Sequence, residues 1–93
     1  MSEPGDRYRL VMARSAAQTL TKSLPEKVAT AVYEFVTRPL LENPRGVGKP
    51  LESPLAPAYS ARRGTYRVLY LINDANGTVE VTAISHHADA FHM

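Results

Sequence analysis

Two stretches of the chain hold residues suited to chemistry. The segment SARRGTYRVLY carries Arg62, Arg63 and Arg67 around a Gly-Thr turn, with Tyr66 between them. The C-terminal ISHHADAFHM carries His86, His87, His92 and Asp89. Guanidinium groups bind phosphate through paired N–H donors, and aromatic rings stack on bases. Imidazole, with an ordinary pKa of about 6.5, exchanges a proton near neutral pH, and neighbouring arginines lower that value. Histidine beside guanidinium is what cleavage of a phosphodiester by its own ribose 2′-hydroxyl needs. One group moves the proton, and the others stabilise the extra charge of the phosphorane. Plainer readings stand beside this one: strand tyrosines are common, and surface arginines and terminal histidines solvate a protein. A metal site from His87, Asp89 and His92 is not supported by their spacing, and consecutive histidines on a strand point to opposite faces.

Charge distribution bears on the choice. The net formal charge is only +2, but residues 44–72 hold five bases (Arg45, Lys49, Arg62, Arg63, Arg67) against Glu52 alone. A basic middle suits an anionic partner such as RNA, DNA or an acidic peptide, or else a solvated loop. The chain contains no cysteine, which removes disulfides, thiolate catalysis and cysteine-ligated zinc. It has no phosphate-binding glycine loop, no His-Glu-x-x-His helix and no serine elbow, so no nucleotide, metal or other cofactor is implied. No apolar stretch approaches the roughly 20 residues of a membrane span, and MSEPGDRYRLV lacks the apolar core of a signal peptide. The expectation is a soluble cytoplasmic protein.

These residues must be carried by a small framework. At 93 residues the chain is expected to be one domain, with residues 1–6 a loose tail. RYRLVM alternates as a first strand. ARSAAQTLTKSL changes to a helical period. Pro25 fits the first turn of a second helix, in which Val28, Ala31, Val32, Phe35 and Val36 form an apolar stripe. Pro39 ends or kinks that helix near Arg38. The short join predicts an antiparallel helical hairpin. RGVGKPLESPLAPAYS is rich in glycine and proline and is expected to be a long loop. YSARR, YRVLYLI and TVEVTAIS then read as three strands, joined by a Gly64-Thr65 turn and by the Asn76-Gly77 hairpin signal. The expectation is an α+β fold: an N-terminal strand, a helical hairpin, then a three-stranded antiparallel meander. Alternation puts Arg67 on a face otherwise made of Leu69 and Leu71. Arg62 and Arg63 fall on opposite faces, so only one of them joins Arg67.

The β-α-α-β-β-β order, VGKPL, SARRGTYRVLY and the closing I-x-H-x-x-D-x-F together resemble the RelE/ParE superfamily of bacterial toxins, in particular its RelE-like branch from actinobacteria. The resemblance spans nearly the whole chain. It implies a metal-independent mRNA interferase that enters the ribosomal A site and cuts mRNA through 2′-hydroxyl attack. It also implies a cognate antitoxin that inhibits the toxin and through which the complex binds operator DNA. On this resemblance Arg67 matches the arginine that contacts the scissile phosphate. Arg62 matches a basic position on the preceding strand that binds RNA or assists proton transfer, and Lys49 lies in the loop typical of the branch. Arg63 and Tyr66 complete the expected RNA-binding set. Relatives end in His-Arg followed by Asp and Tyr; here the arginine and tyrosine positions hold His87 and Phe91. Phenylalanine stacks but carries no proton, so the proton-transfer role passes to His86 or His87. The rival reading is a toxin that acts by binding, either as a ParE-like inhibitor of DNA gyrase or through antitoxin binding and co-repression alone. A general RNA-binding domain would explain the charge but not the closing motif.

Overall fold

The computed structural model describes residues 7–86. Its elements are β1 (Arg9–Met12), α1 (Arg14–Gln18) running into a π-helical turn (Thr19–Ser23), α2 (Glu26–Thr37), α3 (Pro39–Glu42), β2 (Lys49–Pro50), β3 (Tyr59–Arg63), β4 (Tyr66–Asn73) and β5 (Thr78–His86). The strands form one sheet in the order β1-β5-β4-β3-β2. The expected meander is present as β3-β4-β5, antiparallel throughout. β1 returns to the far side of β5 and pairs with it in parallel.

Packing explains why these segments take these forms. Val32, Phe35 and Val36 of α2, with Leu40 and Leu41 of α3 and Ala16 of α1, are buried against Ala61, Val68, Tyr70, Val79, Val81 and Ile84 of the sheet. Val28 packs at the edge of this core. Ala31 instead lines a surface groove beside Arg63, so the predicted stripe is narrower than its spacing suggests. Pro25 precedes α2 as its cap rather than sitting in its first turn. The chain breaks at Arg38 (φ −129°, ψ −80°) and restarts with Pro39 as the first residue of α3, where a missing N–H costs nothing.

Two departures from simple alternation matter for the site. The stretch expected to be loop contains β2, which pairs Lys49 with Ser60 and Pro50 with Tyr59. Strand β5 carries a bulge: Leu69 pairs with Ala83 but Tyr70 pairs with Val81, leaving Thr82 as the extra residue. The bulge moves the core-facing set from Val79 and Val81 to Ile84, which reverses the faces of residues 83–85 relative to simple alternation. Among the described residues no helix is long and apolar enough to cross a membrane.

Candidate nucleic-acid interface

The β3–β4 hairpin turns through Gly64 and Thr65, with Gly64 at φ +62°, a conformation glycine adopts without strain. A two-residue turn pairs the residues that flank it. Arg63 therefore lies opposite Tyr66, and Arg62 directly opposite Arg67. Cross-strand partners share a face, so Arg62 and Arg67 stand together on the side of the sheet away from the helices. Register adds three more residues to that face: Lys49 opposite Ser60, two residues before Arg62, and Ser85 opposite Arg67. Lys49, Ser60, Arg62 and Arg67, with Val47, Gly48 and Leu51, line a concavity of about 270 Å³ that has no acidic side chain among the described residues. Three cations around one hollow make a receptor for an anion with several oxygens, such as a phosphate in a nucleic-acid backbone.

The remaining expected residues are placed elsewhere or not described. Arg63 points to the helix side, its guanidinium carbon 5.0 Å from the centre of the Phe35 ring, and Tyr66 shares that side by register. Neither joins Arg62 and Arg67. His86 pairs with Tyr66 through the backbone, a register position that alternates with that of Ser85 and Arg67. His87 and Phe91 lie outside the described residues, as do Asp89 and His92. Among the described residues no cluster of histidine and carboxylate side chains could hold a metal ion.

Sequence reasoning missed the residues that hold β2 in place. The Tyr70 hydroxyl, fully buried, donates to the Pro44 carbonyl at 2.6 Å, and its ring stacks on Tyr59 with centroids 5.6 Å apart. Burial, helped by Tyr59, pushes the Tyr70 hydroxyl up to about 12. Arg45 holds Asp74 in an ion pair of 2.9 Å, and Asp74 also accepts from the Tyr8 hydroxyl at 2.5 Å. The Arg45 and Tyr8 hydrogen bonds hold the Asp74 carboxyl below the usual carboxylate range. The Tyr70–Pro44 and Arg45–Asp74 contacts join residues 26 and 29 positions apart, so no local pattern in the sequence marks them.

A family model described as the ParE toxin of the type II toxin–antitoxin system, parDE, matches residues 10–91, so the chain belongs to that toxin family. Its relatives give the branch. Toxin RelE of Mycobacterium tuberculosis is 44% identical over 86 residues, covering 92% of this chain and 88% of the relative. Toxin RelG of the same organism is 43% identical over 84 residues, covering 90% and 95%. The crystal structure of the RelBE2 toxin–antitoxin complex from M. tuberculosis superposes with a TM-score of 0.81 at 42% identity, covering 86% of this chain and 98% of that one. The isolated Escherichia coli RelE toxin shares the fold at a TM-score of 0.70 and 23% identity, over 85% and 83% of the two chains. The protein is a RelE-like toxin of the RelE/ParE superfamily.

Proposed function

We propose that this toxin is an endoribonuclease that cleaves mRNA in the ribosome, in the cytoplasm, by attack of a ribose 2′-hydroxyl on the adjacent phosphate. The observation that carries the reading is the cluster of Lys49, Arg62 and Arg67 on one face, around one hollow. Arg67 and Arg62 hold the non-bridging oxygens and stabilise the phosphorane as its charge develops. Lys49 contributes a third cation at the backbone. One proton leaves the 2′-hydroxyl and one reaches the departing 5′-oxygen, leaving a 2′,3′-cyclic phosphate and a 5′-hydroxyl. Histidine serves this transfer. His86 or His87 takes this role, and Phe91 stacks on a base. A cognate antitoxin neutralises the basic face with acidic residues and links the pair to operator DNA. The RelBE complexes among its structural relatives support that partner.

The test is to incubate the purified toxin with ribosomes programmed with a defined mRNA and map cuts by primer extension, with Arg67→Ala alongside. Cuts in the A-site codon that fall on the order of 10²–10³-fold in the variant are expected. The second reading, a ParE-like toxin acting on gyrase by binding, is favoured by the parDE description of the family model. Uncut mRNA with a folded protein, together with inhibition of gyrase supercoiling, would decide for it.

A further inference from the structure

The basic hollow is assembled from two unequal parts. Arg62 and Arg67 stand on adjacent long strands joined by a two-residue turn, so their pairing is fixed locally. Lys49 belongs to a strand of two residues at the sheet edge, reached through the Gly- and Pro-rich segment 43–50. Two ladder pairs cannot by themselves hold such a segment, yet four contacts fasten it. The Asn43 Oδ1 accepts from the Gly46 N–H at 3.1 Å and closes the first turn. The buried Tyr70 hydroxyl donates to the Pro44 carbonyl at 2.6 Å. Arg45 is tied to Asp74 in the β4–β5 turn at 2.9 Å. Gly48, immediately before Lys49, lies so close to the sheet that a Cβ there would meet the Tyr70 Oη and come within 2.7 Å of the Ser60 carbonyl oxygen. The first of these atoms sits on a ring packed in the core and the second is backbone, so neither can yield cheaply.

We infer that Gly48 and Tyr70 are positioning residues that set Lys49 against the phosphate held by Arg62 and Arg67. Tyr70 reaches the segment from the core side of the sheet, whereas Lys49 acts on the opposite face. The hydroxyl thus carries information from the core to the basic hollow through the backbone of residues 44–48. Gly48 supplies the close approach that lets this backbone lie flat on β3. A side chain at 48 lifts β2, and with it the ammonium group, away from Arg62. The role is specific to one cation. It predicts loss of a single phosphate contact and leaves the arginine pair intact.

The inference rests on the proposed RNA-binding role of the basic face, and the experiment separates the two. The probe is a 2′-O-methyl RNA trinucleotide, which binds but cannot be cleaved, titrated against the toxin and its variants over a range of salt. For single strands each phosphate contact contributes about 0.7 to the slope of log affinity against log salt. Lys49→Ala should lose about 0.7 of slope and about fivefold to tenfold in affinity at low salt. Gly48→Ala should lose the same slope with Lys49 still present, and the double variant should bind no more weakly than Lys49→Ala alone. Near-ultraviolet circular dichroism of the Tyr59–Tyr70 pair establishes that Gly48→Ala is folded. Tyr70→Phe, which keeps the ring and removes the hydroxyl, should lower the slope in the same direction. A Gly48→Ala toxin with full slope, or losses that add in the double variant, overturns the inference while the RNA-binding reading stands. Wild-type toxin that does not bind the trinucleotide overturns both.

Discussion

Replacing Tyr70 by phenylalanine removes one atom from a fully buried side chain, and its cost can be worked in two parts. The first is the hydrogen bond to the Pro44 carbonyl, 2.6 Å long and shielded from water. Phenylalanine leaves that carbonyl without its partner, which costs about 1–3 kcal/mol. In a domain of this size each kcal/mol lowers Tm by about 4–8 °C. The second part depends on pH. The folded-state value of Tyr70, about 12, lies above the ordinary value of about 10, because burial opposes the phenolate. The stabilisation is therefore fully present below about pH 10 and is lost as pH rises toward 12. At pH 11 the loss amounts to about 1 kcal/mol, and over the whole window to about 3 kcal/mol. Urea unfolding of both proteins at pH 7, 9, 10 and 11 reads the two parts together. The wild type should exceed the variant by a constant margin up to pH 9 or 10, and the margin should shrink above that. The other tyrosines cancel in the difference. Equal stability at pH 7, or a margin that stays constant through pH 11, would refute the argument that this hydroxyl is buried and bonded.

Other outcomes follow from the same packing. Leu40→Ala empties a fully buried position between α3 and the sheet and should cost about 2–5 kcal/mol by urea denaturation; a loss below 1 kcal/mol would mean the site collapses freely. Arg63→Ala should leave trinucleotide binding within twofold, because the side chain covers Phe35 on the helix side, and should cost about 0.5–1 kcal/mol of stability. If its salt slope fell as far as that of Arg67→Ala, the division of the faces would be wrong. The Asp74 carboxyl is held low by Arg45 and then Tyr8, so its contribution is present above about pH 4 and disappears as pH falls through the folded value. A carbon-detected NMR titration should show Asp74 protonating below the ordinary carboxylate range, and in Arg45→Ala it should move up toward that range. Replacement of one of His86 and His87 should reduce cleavage severely and replacement of the other little; equal, small effects from both would remove histidine from the mechanism.

The elements that alternate or repeat over many residues were legible in the sequence. The α2 stripe, the strand pattern of YRVLYLI and the Asn76-Gly77 turn each declare themselves within one window. Even the pairing of Arg62 with Arg67 is implicit, because a two-residue turn through Gly64 and Thr65 admits one register. What stayed hidden depends on contacts between distant segments. Strand β2 is two residues long and includes a proline, so no propensity marks it; it exists because Tyr70 and Ser60 are there to receive it. The parallel return of β1 to β5 has no local signature either. The unbroken alternation of Val79, Val81 and Ala83 conceals the bulge at Thr82, and only the register of β4 shows which face Ile84 and Ser85 then occupy.

The sheet order has a consequence in time. Strand β5 comes last in chain order among the described elements, yet it lies between β1 and β4, and residue 9 finds its partner only at residue 78. A chain still emerging from the ribosome lacks Val79, Val81 and Ile84, half of the sheet's share of the buried core. Its N-terminal strand meanwhile has no neighbour in the sheet. Closing so long a loop is slow compared with forming a local hairpin. The sheet of the nascent toxin thus stays incomplete until β5 has been made.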